Sequence, residues 1–501
     1  MVSNEERIGV LQEQLRVRDE QIALLTFQLE QLKRMIFGTR SERFVPADPA
    51  QATLFEAGAT APPPTQAISY TMSSTGRPRS KPQEKKQPVR EAIAAHLPRV
   101  ERVIEPENIP EGAKKIGEEI TETLEYTPGS IHVDRIVRPK YAADETILIA
   151  PMPALPFPKS NLGASLAAHI CVSKFADHLP LYRQRTQLKR AGLDVSDSTI
   201  GGWFQATATL LEPLGDALRK EVLAPGYLQV DESPIAVQDD HNDKGIRKGY
   251  HWVYHAPLAK AVLFDYRPGR SAGFPTEVLK DFHGALQTDG YAGYEKLAAK
   301  EDIVALACMA HARRYFEKAL DNDKARATYA LERIQALYAI ERACDERDDP
   351  PDKRHAHRQE EAVPILDELE KWVRQEINVV APKSPIGQAM AYALGLWSRL
   401  RAYTLDGRYL IDNNRIENTI RPLAIGRKNY LFAGSDRGAR HAALMYSLLG
   451  TCKLNGIEPF AYLRDVIARI PEHKANRLSE LLPQNLPVRQ AGWQPVVGQQ
   501  G

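Results

Sequence analysis

The chain has 501 residues, more than one ordinary core organises, so several domains are expected. Hydrophobic residues make up 43% and charged residues 26%, the balance of a globular protein, and a net charge of +2 excludes a uniformly basic nucleic-acid binder. Four scattered cysteines, Cys171, Cys308, Cys344 and Cys452, exclude a disulfide framework and a CxxC metal pair. The N-terminal MVSNEERIGV has no apolar signal core, and the proline-broken stretch Ile147–Pro158 is too short to span a bilayer. A cytoplasmic chain without a membrane segment is therefore expected.

Residues 1–44 read as a coiled-coil helix. Ile8, Leu15, Ile22, Leu29 and Ile36 recur every seven residues, with Leu11, Leu25 and Leu32 between them and Arg18 as the exception. Such a seam is buried only when a second helix supplies the other half, which predicts a homodimer or larger assembly; packing of the helix on its own chain is the alternative. Residues 45–90 are a Pro-rich linker ending in RPRSKPQEKKQPVR (Arg77–Arg90), where six Lys/Arg face one Glu. A basic arm of this kind suits DNA phosphates, and equally a simple soluble tether. Residues 91–150 form a small β-containing module, with strand-like alternation over Glu122–Tyr126 and Ile131–Val137.

Residues 160–222 read as helical: Ser165–Ala176, then Tyr182–Ala191 with a stop at Gly192, then a helix capped by Ser196 or Ser198 and running through Trp203 to Leu211. This is a candidate helix-turn-helix DNA-binding region, with a plain helical bundle as the alternative.

From residue 223 to about 450 the pattern changes. Tyr227–Asp231, Tyr250–His255 and Ala261–Tyr266 read as strands, Ser271–Phe282 as a helix, Ala285–Asp289 as a strand, Gly293–Ala299 as a short helix and Ile303–Cys308 as a strand. Three antiparallel strands, a helix, a strand, a helix and a strand is the order of a ribonuclease H-like core. In that order the fourth strand lies beside the first, bringing Asp231 towards Asp289. Residues from about 316 to 409 read as an all-α insertion. Asp412 or Asn413 then caps a helix that carries Glu417 and stops near Pro422. Residues 451–501 form a C-terminal helix and tail. The fold class is thus multidomain α+β: an N-terminal coiled coil, a helical DNA-binding region, and a ribonuclease H-like α/β catalytic core with an all-α insertion.

Three carboxylates suit metal-dependent phosphodiester chemistry. Two Mg²⁺ (or Mn²⁺) ions activate the attacking oxygen and stabilise the leaving one, and Mg²⁺ takes hard oxygen ligands while keeping waters. Arg313 and Arg314 follow the strand Ile303–Cys308. The segment Arg421–His441 carries Arg421, Arg427, Lys428, Arg437 and Arg440 against one acidic residue, Asp436. These seven are the candidate DNA-binding residues, with surface salt bridges as the alternative for Arg314 and Arg421. Tyr430 and Phe432 are candidates for stacking on an unpaired base, and more plainly for core positions. Glu232 and Asp265 read as neighbours of the site; His251, His255 and His283 read as ordinary strand and loop histidines.

Several motifs have a distinct likeness. LKRMIFGTRSERF (Leu32–Phe44), VSKFADHLPLYRQ (Val172–Gln184), VDESPI (Val230–Ile235), QTDGYAGY (Gln287–Tyr294), CMAHARRYF (Cys308–Phe316), DNNRIENTIRPLAIGRKNYLFAGSDRGA (Asp412–Ala439) and SELLP (Ser479–Pro483) span almost the whole chain. Together they resemble the insertion-sequence-66 family of DDE transposases. The resemblance implies that Asp231, Asp289 and Glu417 are the catalytic, metal-binding triad. It also implies a bacterial, nucleoid-associated protein that binds terminal inverted repeats and target DNA as double strands, cleaves and joins strands, and works with smaller accessory proteins of the same element. Family members often carry a cysteine zinc module after the linker. Here 91–150 has no cysteine, and Ala143 and Asp144 follow RPKYA, so no zinc is expected. A structure-specific nuclease on the same fold and a catalytically silent DNA-binding descendant are the competing readings.

Overall fold

The computed structural model describes residues 129–486, except 139, 144–145, 150, 159, 225, 240–241 and 243–244. The expected coiled coil, the linker, Glu122–Tyr126 and the tail beyond 486 lie outside the described residues.

In chain order the elements are β1 (Lys140–Ala143), β2 (Thr146–Ile149), α1 (Ala164–Phe175), α2 (Leu181–Arg190), α3 (Asp197–Val222), β3 (Gly226–Gln238), β4 (Ile246–Ala256), β5 (Ala261–Arg267), α4 (Gly273–Val278), β6 (Gly284–Gln287), α5 (Glu295–Ala298) and β7 (Ile303–Leu306). There follow α6 (Met309–Ala319), α7 (Lys324–Glu346), α8 (Pro351–His357), α9 (Val363–Glu376), α10 (Pro385–Gly395), α11 (Trp397–Arg401), α12 (Asn414–Tyr430), α13 (Asp436–Leu454) and α14 (Pro459–Arg469).

A mixed five-stranded sheet in the order β5-β4-β3-β6-β7 organises the core. The β3–β4 and β4–β5 pairs are antiparallel, while β3–β6 and β6–β7 are parallel, so the fourth strand of this sheet does lie beside its first. At the start of β3, alternation divides the side chains between two apolar cores. Leu228 and Val230 join a core with Leu211, Leu214 and Leu218 of α3 and Met445 and Leu448 of α13. Tyr227 joins Ala285, Leu306, Phe316, Ile334 and Leu366 in a second core, built largely by the helices that follow β7. The edge strand β5 is not left open: Ser447 and Thr451 of α13 accept hydrogen bonds from the Phe264 and Val262 amides at 2.8 and 3.2 Å.

Four local expectations need correction. Ile131–Val137 is not a strand; it runs outside any regular element, with Ile131, Val133, Ile136 and Val137 exposed. The hairpin forms instead from β1 and β2. The third helix of 160–222 starts where expected but does not end at Leu211; it runs to Val222. Ser196 does cap it, accepting from the Thr199 amide at 3.0 Å. It then runs through Gly201, Gly202 and Pro213 because Ile200, Phe204, Ala208, Leu211, Leu214, Leu218 and Val222 form one buried stripe, and that burial outweighs weak local propensity. The helix expected over Ser271–Phe282 is only the six residues of α4. Pro422 does not end the Glu417 helix: α12 continues to Tyr430, held by the buried Ile416, Ile420, Leu423 and Gly426 past the one lost amide.

Candidate active site

Asp231 lies in β3, and Asp289 lies two residues past the end of β6. The parallel register runs from Gly226↔Gly284 to Gln229↔Gln287, and Asp231 and Asp289 each follow its last pair by two residues. Strand alternation puts Asp231 on the face of Gln229, while Asp289 lies in the turn that leaves β6. Gln229 and Gln287 share one face of the sheet, as the 2.9 Å bond from Gln229 Nε2 to Gln287 Oε1 shows.

Asp289 sits in a tight turn. Its Oδ1 accepts from the Tyr291 amide at 2.9 Å, and its carbonyl accepts from the Tyr392 hydroxyl at 2.9 Å. Gly290, at φ +88°, makes the turn, and a Cβ there would meet Leu396 Cδ1 at 2.7 Å. Asp231 Oδ1 accepts from the Glu232 amide at 2.7 Å. Glu417 stands in the first turn of α12, where the helix N-terminus favours a negative charge. From α6, His311 Nε2 and Arg314 Nη2 come within 3.8 and 3.9 Å of its two oxygens.

The Asp231 carboxyl is pushed up to about 7, mainly by burial; the charges of Glu232, Asp289 and Glu417 push the same way, against the Glu232 amide. Negative charge is thus poorly compensated at this point of the sheet. Among the described residues, no three His, Cys, Asp or Glu side chains close into a ready-made metal cage.

Neighbouring charges are already engaged. Glu232 accepts from Arg270 Nε at 2.7 Å and from the Tyr294 hydroxyl at 2.8 Å. Asp265 is paired with Arg219 at 3.2 Å and Arg267 at 2.7 Å. His251 and His255 are buried in β4, and burial drives their pKa values down to about 3 and about 4. His283 is exposed.

The seven basic candidates divide. Arg314 lies at the site beside Glu417, and Arg421, one turn further along α12, is exposed. Lys428 and Arg440 are also exposed. Arg313 is paired with Glu317 at 2.9 Å. Arg437 donates to Thr209 Oγ1 of α3 at 3.1 Å. Arg427 is turned inward, donating to Ser233 Oγ at 3.0 Å and to the Pro234 carbonyl, so it braces α12 against β3. Tyr430 is largely buried and shares a 3.1 Å hydrogen bond with Tyr446, whereas Phe432 is 41% exposed.

Sequence reasoning passed over Gln229 and Gln287. The signal was available: Gln-Val-Asp and Gln-Thr-Asp repeat the same Gln-x-Asp spacing at the two strands that carry the aspartates.

The chain was compared with known proteins. Residues 159–441 match the family model described as Transposase IS66 family, and residues 447–484 match the IS66 C-terminal element. Residues 24–102 match a model described as Transposase C of IS166 homeodomain. Similar proteins occur in Sinorhizobium fredii (strain NBRC 101917 / NGR234). Uncharacterized protein y4hP is 33% identical over 495 residues, covering 92% of this chain and 88% of that protein. Uncharacterized protein y4jD is 31% identical, covering 96% of this chain and 98% of that protein. Uncharacterized protein y4qI is 34% identical, covering 93% and 89% respectively. With a family model matching more than half of its residues around these carboxylates, the chain belongs to the IS66 family of transposases.

Proposed function

We propose that this protein is an active DNA transposase of a bacterial insertion sequence, which binds the element's terminal inverted repeats, cleaves DNA strands and joins them to target DNA. Asp231, Asp289 and Glu417 are its catalytic carboxylates, and the core is ribonuclease H-like. The observation that carries this reading is that Asp231 and Asp289 each follow, by two residues, the last pair of the parallel strands β3 and β6, with the charges of Asp289 and Glu417 reaching Asp231.

The donor set fits Mg²⁺ or Mn²⁺: all three groups offer hard oxygens, and the raised Asp231 carboxyl marks negative charge that a cation would neutralise. Asp231, Asp289 and Glu417 would hold such ions, which would supply activation of the attacking water or 3′-hydroxyl and stabilisation of the leaving oxygen. The chain's own residues bind and orient the DNA. Arg314 and Arg421 flank Glu417 along one side and suit the bidentate grip of a guanidinium on a phosphate. The exposed Lys428 and Arg440 extend positive charge beyond them. Arg427 holds α12 on the sheet. The protein acts on the bacterial nucleoid, synapses two element ends as a dimer or larger assembly through its N-terminal heptads, and works with accessory proteins of the same element.

The test is direct. A labelled inverted-repeat end, a target plasmid and Mg²⁺ are incubated with the protein and, separately, with Asp231→Asn. Joined products that require Asp231 support transposition. Cleavage without end preference would make the protein a nuclease, and binding alone would make it a silent DNA-binding descendant.

A further inference from the structure

Beneath the carboxylates lies a buried polar network whose partners are far apart in the chain. Gln229 and Gln287 are both fully buried, and such amides are costly unless every donor and acceptor is used. Here every one is. Gln229 Nε2 donates to Gln287 Oε1 at 2.9 Å and to the Asp412 carbonyl at 2.9 Å, and its Oε1 is 2.9 Å from His255 Nδ1. An amide oxygen only accepts, so the proton of the neutral His255 sits on Nδ1 and is donated to Gln229. Gln287 Nε2 donates to the Ala307 carbonyl at 3.1 Å and to the Leu410 carbonyl at 2.9 Å. Its Oε1 also accepts from the Tyr227 hydroxyl, which in turn accepts from the Leu410 amide at 3.1 Å.

The backbone so gripped is Leu410–Asp412, the segment that leads into α12 and Glu417. Three further bonds complete the hold. The Met309 amide donates to the Ile411 carbonyl at 3.1 Å, the Asn413 amide to Cys308 Sγ at 3.2 Å, and the Tyr338 hydroxyl to Asp412 Oδ2 at 2.8 Å. Asp412 Oδ1 accepts from the Asn414 amide at 3.0 Å and so opens the helix. Gln229 and Gln287 share one face of the sheet, and each precedes a site aspartate by two residues. The strands that place Asp231 and Asp289 therefore also hold, through these amides, the chain that delivers Glu417.

We propose that Gln229 and Gln287 are positioning residues that fix Glu417 relative to Asp231 and Asp289, coupling the helix after the insertion to the two sheet aspartates. This rests on the reading of the three carboxylates as the catalytic set. The amides touch no reacting atom; they act through the Leu410–Asp412 backbone. An apolar side chain of similar length in their place keeps the strand and loses the grip.

The experiment uses the full chain with Gln229→Met, Gln287→Met and, as the mildest change, Tyr227→Phe, beside Asp231→Asn. Three quantities are read: end binding, the rate of end cleavage with Mg²⁺, and hydrogen exchange of the amides in 410–418 without metal or DNA. The glutamine variants should bind the end as the parent does and cleave it roughly tenfold to a hundredfold more slowly, the cost of a misplaced catalytic group. Exchange should quicken in 410–418 and stay unchanged in β4 and β5. Tyr227→Phe should move both readouts the same way by less, and it keeps the test open if a methionine variant fails to fold. Parent-like cleavage, parent-like exchange in 410–418, or loss of rate accompanied by faster exchange across the whole core would each overturn the inference. Exchange reports the grip without any catalysis. If Asp231→Asn still cleaves, the catalytic reading itself fails; if it is dead while the glutamine variants are fully active, only the positioning role fails.

Discussion

Asp231 of β3 and Asp289, two residues past the end of β6, stand 58 positions apart in the chain, the same offset that separates Gln229 from Gln287 across the paired strands. Burial and the charges of Glu232, Asp289 and Glu417 hold the Asp231 carboxyl up to about 7, well above its ordinary value of 3.8. The folded state therefore resists its ionisation.

Asp231→Asn should consequently separate stability from activity. Removing a crowded, buried negative charge should raise metal-free stability at pH 8 by on the order of 1 kcal/mol or more, because a raised carboxyl pKa is a cost to folding above that pKa. End cleavage should fall by roughly a thousandfold or more, as expected when a member of a catalytic set is lost. Mg²⁺ should raise the melting temperature of the parent and leave that of the variant nearly unmoved, since only the parent gains binding energy in the folded state. Calorimetry with and without Mg²⁺ checks both statements; a variant that melts lower and responds to Mg²⁺ like the parent would contradict them.

Gly290 gives a sharper test of how Asp289 is held. At φ +88° any side chain strains the turn, and a Cβ would also press on Leu396 Cδ1 at 2.7 Å. Gly290→Ala should destabilise by roughly 1–3 kcal/mol. Cleavage should fall further than this loss explains, because the turn carries both the Tyr291 amide bond to Asp289 Oδ1 and the Tyr392 bond to its carbonyl. Urea titration and a cleavage rate on the folded fraction are the measurements, and a rate equal to that of the parent would remove the turn's role.

The parts of this architecture that were legible in the chain were local. Strand-like runs ending in Asp231 and near Asp289 announced the sheet, and Ser196 announced a helix start. What was misread depended on distant partners. Pro422 signals a helix end by its own chemistry, but the burial of Ile416, Ile420 and Leu423 carries α12 through it. Ile131–Val137 has the alternation of a strand, yet its apolar side chains remain exposed. The bond from Gln229 to the Asp412 carbonyl spans 183 positions, and no local pattern encodes such a distance. Only the repeated Gln-x-Asp spacing hinted at it.

Arg358 is the second long-range clamp and should behave as a structural one. Its side chain is fully buried in the helical layer after β7, paired with both oxygens of Glu341 at 2.8 and 2.7 Å. It also donates to the carbonyls of Tyr403 and Tyr409 at 2.8 and 2.9 Å and to that of Asp406 at 2.6 Å. Arg358→Met strips three carbonyls of that partner and leaves the buried Glu341 carboxylate with Arg354 alone, 3.1 Å away, and should cost about 3 kcal/mol. Replacing Glu341 by Leu in the same chain should recover part of the loss, because the half-paired buried charge is then gone. Melting temperatures of the single and double variants decide this, and a double variant less stable than the single would refute it.

The buried histidines of β4 predict an acid-sensitive fold. His251 and His255 are driven down to about 3 and about 4, first by burial and then by the positive charges of Arg427 and Arg415 respectively. In the unfolded chain both titrate near their ordinary value, about 6.5. Below that pH the unfolded state takes up protons that the folded state refuses. The stabilising contribution is therefore complete above about pH 6.5 and is lost progressively as the pH falls towards 4 and then 3. Each histidine adds a slope of about 1.4 kcal/mol per pH unit inside its window. Asp231 titrates with the opposite sign, so a comparison of variants is more informative than one curve. His251 is suited to it: among the described residues neither ring nitrogen has a hydrogen-bond partner, and the ring packs edge-on against Tyr266 with centroids 5.7 Å apart. His251→Phe keeps the ring and removes the titration. Between pH 7.5 and pH 5 the parent should lose about 2 kcal/mol more stability than this variant, as measured by urea titration at the two pH values. Equal losses would mean that His251 is protonated in the folded protein at pH 5, and that its pocket is wetter than the packing of β4 against α12 allows.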